Sequence, residues 1–171
     1  SLFRPADVSV GADGAIYVAD WFDGRVGGHQ TLDDGMTGTI YRIAPKGFKP
    51  QNQKFDEKTI DGLITSLKSP AVNVRNIGFV GLKAKGDAAV SAVTALLADK
   101  NSYIAARATW LLAQMGPSGV AAVKAMLQDA SANKRLVAYR ALRRANIDVL
   151  AMAAASAKDA SPAIRREVAL T

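Results

Sequence analysis

The chain has 171 residues, with 22 Lys and Arg against 15 Asp and Glu, one His and no Cys. A composition that is 49% hydrophobic and 22% charged is globular and excludes wholesale disorder. No apolar run nears the ~20 residues needed to span a bilayer, and without Cys there is no disulfide framework, zinc–thiolate site or c-type haem attachment motif. Starting at Ser1, with neither a basic n-region nor an apolar h-region, the stretch is expected to be a processed or truncated piece whose start does not give the compartment.

The first fifty residues predict short strands. Asp7-Val-Ser-Val10 and Ala15-Ile-Tyr-Val-Ala19 are β-branched and aromatic runs, separated by Gly11-Ala-Asp-Gly14. Asp13-Gly14 is a hairpin turn signal, because Gly accepts the positive φ that a tight turn demands. In the third run, Gly38-Thr-Ile-Tyr-Arg-Ile43, Ile40 and Arg42 alternate with Tyr41 and Ile43, which predicts a strand with one wetter face. The Gly- and Asp-rich stretch from Trp21 to Thr37 is long for a hairpin loop. A sheet of three strands is marginal by itself, so this unit is expected to be the end of a larger β-structure.

The run Phe3-Arg-Pro-Ala-Asp-Val-Ser-Val-Gly-Ala-Asp-Gly-Ala-Ile-Tyr-Val-Ala-Asp-Trp21, then Gly27-Gly-His29 and Gly38-Thr-Ile-Tyr-Arg-Ile43, resembles the closing blade of glucose/sorbosone dehydrogenase-like β-propellers of the bacterial membrane-bound dehydrogenase type. The segment between His29 and Gly38 is shorter than in many relatives and lacks their Arg-Asp-rich stretch. The resemblance implies a propeller followed by HEAT repeats and often by a cytochrome c domain. It also implies pyrroloquinoline quinone or haem c as cofactors of the parent protein, with none in this chain, and a periplasmic or cell-envelope location. The His and Arg residues that reach the quinone would lie in earlier blades, so this chain alone is not expected to be catalytic.

Composition changes near residue 50. Residues 1–50 hold five basic and six acidic residues, whereas residues 51–171 hold 17 basic and nine acidic, a net charge of +8. Eight of the 14 glycines precede residue 50, and Ala dominates afterwards. The polar stretch Lys46 to Lys54 reads as a joint, giving a β-unit at 1–46, a linker at 47–56 and a helical domain at 57–171.

Within the helical domain, Ser69, Asp99, Asp129 and Asp159 recur at one constant interval, a repeat period of about 30 residues. Each is followed by an arginine, namely Arg75, Arg107, Arg135 and Arg165, with a larger offset in the second copy that predicts a two-residue insertion near Ser102-Tyr103. Ser69-Pro70 and Ser161-Pro162 suit helix starts, and Gly86 and Gly116 suit helix ends. The spacing predicts about four helix pairs: 57–68 with 71–84, 87–98 with 102–115, 118–128 with 132–145, and 147–158 with 162–171. The pattern resembles short HEAT-like repeats of the bilin-lyase type. The expected fold class is therefore α+β: a short antiparallel β-unit, then a right-handed α-solenoid of HEAT-like hairpins.

Two residues are candidate ligands. Asp20 and His29, a carboxylate and an imidazole on one loop, could hold a cation or orient a sugar hydroxyl. The structural alternative has Asp20 accepting backbone N–H groups and His29 shaping the loop. The ladder Asp99, Arg107, Asp129, Arg135, Asp159 and Arg165 reads first as structural bridges between helix ends, and otherwise as an anion-binding face. With one His and no Cys no Ser–His–Asp or Cys–His set exists, and Gly24-Arg-Val-Gly-Gly28 lacks the spacing of a phosphate loop. Arg140, Arg143 and Arg144 share a face of the most basic element. Lys83, Lys85 and Lys124 do not extend it as an aligned row, so nucleic acid is disfavoured against a solvated face or an acidic protein partner. The expected partners are other domains of the same polypeptide or another protein. A stand-alone HEAT-like interaction module without catalytic association is the second reading.

Overall fold

A computed structural model describes residues 3–21, 38–49 and 54–171. It is α+β, with three strands and eight helices among the described residues. The chain divides into two compact units, one of residues 1–54 with 69–75 and one of residues 55–68 with 76–171.

In the first unit, β1 (Pro5–Val10), β2 (Ile16–Asp20) and β3 (Thr39–Ile43) form an antiparallel sheet in the order β1-β2-β3. Val8 stands opposite Val18 and Val18 opposite Tyr41, while Val10, Ile16 and Ile43 lie across from one another. With the two-residue period of a strand, these six apolar side chains share one face, and Ser9, Tyr17 and Arg42 lie on the other. Much of this face is exposed, Val8 at 66% and Ile43 at 54%. Phe3 meets Tyr41 edge to face, with centroids 5.5 Å apart.

The Asp13 side chain organises the β1–β2 turn. Its Oδ1 accepts the Ala15 N–H at 3.0 Å, and its Oδ2 accepts the Tyr17 hydroxyl at 3.1 Å and Arg42 Nε at 2.9 Å. Gly14 takes the positive φ of 84° that the turn needs. The backbone bond to Ala15 is the main reason the Asp13 carboxyl lies below its ordinary range.

The helices are α1 (Ile60–Lys68), α2 (Val72–Lys85), α3 (Asp87–Ala95), α4 (Ser102–Leu112), α5 (Gly116–Ala125), α6 (Ala132–Arg144), α7 (Val149–Ser156) and α8 (Pro162–Ala169). Helices α3 and α5 each tighten at their ends into a 3-10 turn, Leu96–Ala98 and Met126–Gln128. Helix α3 packs on α5, α4 on α6 and α6 on α8. Leu82, Leu112 and Leu142 are fully buried and keep the interval of the aspartate series, and Leu63, Val93 and Val123 do the same. At Gly78 an added Cβ would come within 2.4 Å of the Leu67 backbone nitrogen, so α1 and α2 cross where only Gly fits.

Helix starts keep the same period. Asn101, Ser131 and Ser161 are the N-cap residues, and α4, α6 and α8 begin at Ser102, Ala132 and Pro162. No residue is inserted near Ser102-Tyr103, which corrects the expected two-residue insertion. Counting from those starts, the second-repeat position corresponding to Arg75, Arg135 and Arg165 is Ala105, not Arg107. The chain reversals are periodic too, with positive φ at Gly86, Gly116 and Asn146.

Candidate functional site

Each aspartate of the periodic series sits just before a second helix and ties down the backbone two residues on. Asp99, Asp129 and Asp159 accept the N–H groups of Asn101, Ser131 and Ser161 at 2.9, 2.8 and 2.7 Å. These bonds to the ionised form lower the carboxyl pKa of Asp99 and Asp129, and for Asp159 a guanidinium is the larger cause.

That guanidinium belongs to Arg135, one turn into α6. It forks onto Asp159, Nη2 to Oδ1 and Nε to Oδ2, each at 2.9 Å, and both side chains are largely buried. Its Nη1 donates to the carbonyls of Asp129 and Ala130 at 2.8 and 3.1 Å. Arg165 repeats the second half of this pattern, donating to the Asp159 and Ala160 carbonyls at 2.7 and 3.0 Å, and Arg75 donates to the Pro70 carbonyl at 3.1 Å. The arginine thus closes the exposed carbonyl end of the preceding turn, where cations are favoured. Arg107 has a different role, donating to the Leu67 carbonyl at 3.1 Å in the previous repeat. Asp99 is bridged by Lys68 at 3.3 Å and Asp129 by Lys134 at 3.5 Å. Beside Ala105, where the series lacks its arginine, a cavity of about 290 Å³ opens between α4 and α6, lined in part by Asp99, Lys100, Thr109, Met126 and Lys134.

A second cluster joins α6 to α8. Glu167 is buried, its carboxylate accepting Arg140 Nη2 at 2.5 Å and Arg143 Nη2 at 2.7 Å, while its carbonyl accepts Arg143 Nη1 at 2.9 Å. Arg140 is the principal reason the Glu167 carboxyl lies below the usual carboxylate range. Arg143 also lies over the ring of buried Tyr139, 5.9 Å from its centroid. Arg140, Arg143 and Arg144 of α6 face Trp110 of α4 across an open cavity of about 400 Å³.

Asp20 is buried at the end of β2 and accepts the Arg4 backbone N–H at 2.6 Å, next to the Trp21 N–H bond to the Arg4 carbonyl. It ties the chain entering β1 to the end of β2, at the end of the hairpin opposite the Asp13-Gly14 turn. His29 lies outside the described residues, so the pair Asp20 and His29 has no common geometry to state. Trp21 is 68% exposed. Among the described residues no group of three His, Cys, Asp or Glu side chains could hold a metal ion, and no helix is long and apolar enough to cross a membrane.

Sequence reasoning missed three members of these clusters. Glu167 has no acidic counterpart one period earlier, where Val137 stands, so the series gave no signal for it. Ala105 is visible only when the series is counted rather than matched to the nearest arginine. Trp110 carries no sequence cue that separates a groove residue from a core one. No protein-family model matches the chain, and neither does any curated protein.

Proposed function

We propose that this chain is part of a multidomain, exported dehydrogenase-like protein, in which the sheet belongs to the last blade of a sugar/alcohol dehydrogenase-like propeller and the helices form a HEAT-like solenoid. On this reading the helical part is a scaffold that fixes the distance between the propeller and a further domain, such as a cytochrome c. It supports chemistry done elsewhere in the polypeptide, by pyrroloquinoline quinone or haem. Repeat-built helical stacks suit this role, because each unit contacts only its neighbours and length is set by the number of units.

The observation that carries the reading is the state of the sheet. A three-stranded antiparallel meander with an exposed apolar face is what remains when strands of a blade and the neighbouring blade are taken away. Recurrence of cores, caps and turns at one interval supports the solenoid half. The test is to read the coding sequence on both sides of this segment. Several further Asp-Gly-X-Tyr-Val blades upstream are expected, and a reading frame without them overturns the proposal. A Cys-X-X-Cys-His downstream would identify the further domain.

A further inference from the structure

We propose that Trp110, Arg140, Arg143 and Arg144 form a binding site for a small organic phosphate, one whose phosphate group is carried on a planar ring. These four side chains line the cavity of about 400 Å³ between α4 and α6, a volume in the range of small-molecule pockets. The three arginines stand at i, i+3 and i+4 of α6, so their guanidiniums emerge from one face within a single turn.

Glu167 makes this a prepared site rather than a loose basic patch. From its buried position on α8 it grips Arg140 and Arg143 through separate carboxylate oxygens, fixing two long side chains that would otherwise lose rotamer freedom on binding an anion. One carboxylate does not neutralise three guanidiniums, and among the described residues no acidic side chain lines the cavity. Each guanidinium carries five N–H donors, and Glu167 takes one from Arg140 and two from Arg143. Among the described residues Arg144 has no carboxylate partner. Forked, permanently charged donors match the several oxygens of a phosphate better than a single carboxylate does. Trp110 supplies an aromatic wall, which favours a planar ring attached to that phosphate. The positive balance of residues 51–171 raises the local concentration of any such anion.

The test uses the full chain with Trp21→Phe, which leaves Trp110 as the only tryptophan. Phenyl phosphate is titrated while Trp110 fluorescence is followed, with phenol and inorganic phosphate as separate arms. A saturable change with phenyl phosphate is expected, competed more weakly by inorganic phosphate, weakened by added NaCl and absent with phenol. Arg144→Gln should weaken binding about tenfold or more with the melting temperature unchanged, since one charge-assisted contact is lost and no ion pair among the described residues is broken. Arg140→Lys should weaken binding less than Arg140→Gln does. No saturable response to phenyl phosphate, an equal response to phenol, or an Arg144→Gln variant that binds as before would each overturn the proposal. Tight binding of single-stranded nucleic acid with no response to phenyl phosphate would overturn it as well, since the site would then belong to a polymer.

Discussion

The α4–α6 and α6–α8 junctions repeat one apolar plan and differ in their polar ties. Along α4 and α6 the buried positions match: Ala108 and Leu112 in the first, Ala138 and Leu142 in the second. Between α6 and α8 the fold adds the Arg135–Asp159 fork, the Glu167 grip on Arg140 and Arg143, and a 2.8 Å bond between the Tyr139 and Thr171 hydroxyls. Between α4 and α6 the position of Arg135 is taken by Ala105, and a cavity stands there. The comparison teaches that the stacking is carried by the period of the apolar residues. The ion pairs set how firmly a given junction is closed.

The largest effect tests the shared part. Leu112→Ala and Leu142→Ala each remove a fully buried side chain from corresponding sites, and each should cost about 2–5 kcal/mol in chemical denaturation. Similar losses at the two sites support a common core. A loss at Leu142 alone would mean that the two junctions are not equivalent.

The next effect tests the difference. Glu167→Ala strips the carboxylate from two guanidiniums that are 43% and 29% exposed. Because solvent takes up part of the charge left behind, the expected loss is about 1–2 kcal/mol rather than the penalty of a sealed pair. The same group gives a pH dependence. Its folded pKa is depressed below the ordinary 4.5, so its stabilising share is complete above that pH and is lost as the pH falls through the folded value. Asp159 behaves alike below its ordinary 3.8. Hydrogen exchange should therefore show α8 loosening from α6 as the pH falls below the ordinary carboxylate range. If the slope of stability against pH in that range is the same in Glu167→Gln, the assignment fails.

Much of this plan was legible in the sequence. Pro and Gly punctuation placed the helix pairs within three residues of their observed ends, apart from the tightening of α3 and α5 into 3-10 turns. Asp13-Gly14 placed the hairpin because that turn needs a positive φ that Gly alone takes freely. The ladder was legible only in part. Arginine is common enough that a nearby copy, Arg107, passes for the missing one, whereas helix starts cannot slide without moving the whole buried face. Contacts such as Glu167 with Arg140 were illegible for a different reason. They join side chains 27 residues apart, and nothing in local propensity encodes where one helix lies on another.

A gap in the ladder can be filled. Ala105→Arg puts a guanidinium where Arg135 and Arg165 stand in their own repeats, with Asp129 as many residues ahead of it as Asp159 is ahead of Arg135. The cavity of about 290 Å³ beside it leaves room for a larger side chain. The gain should be about 0.5–1 kcal/mol, because the new pair forms near the surface and displaces Lys134 from Asp129. A thermal midpoint that rises in Ala105→Arg but not in Ala105→Gln isolates the charge from the added bulk. A midpoint that falls in both would show that α4 and α6 are closed at this point by something other than the missing arginine.

The smallest effect lies at the third reversal. Asn146 adopts a φ of 57° at the position that Gly86 and Gly116 hold in the two preceding repeats. Asn tolerates this left-handed region better than other side-chain-bearing residues but still less well than Gly. Asn146→Gly relieves that strain and at the same time loosens the unfolded chain, two terms that oppose each other. The strain should win by a few tenths of a kcal/mol, whereas Gly116→Ala, with its φ of 76°, should lose about 1 kcal/mol. Paired melts of the two variants decide whether all three turns are held to one backbone geometry. If Asn146→Gly destabilises, the Asn side chain itself contributes to the turn, and the third repeat closes differently from the other two.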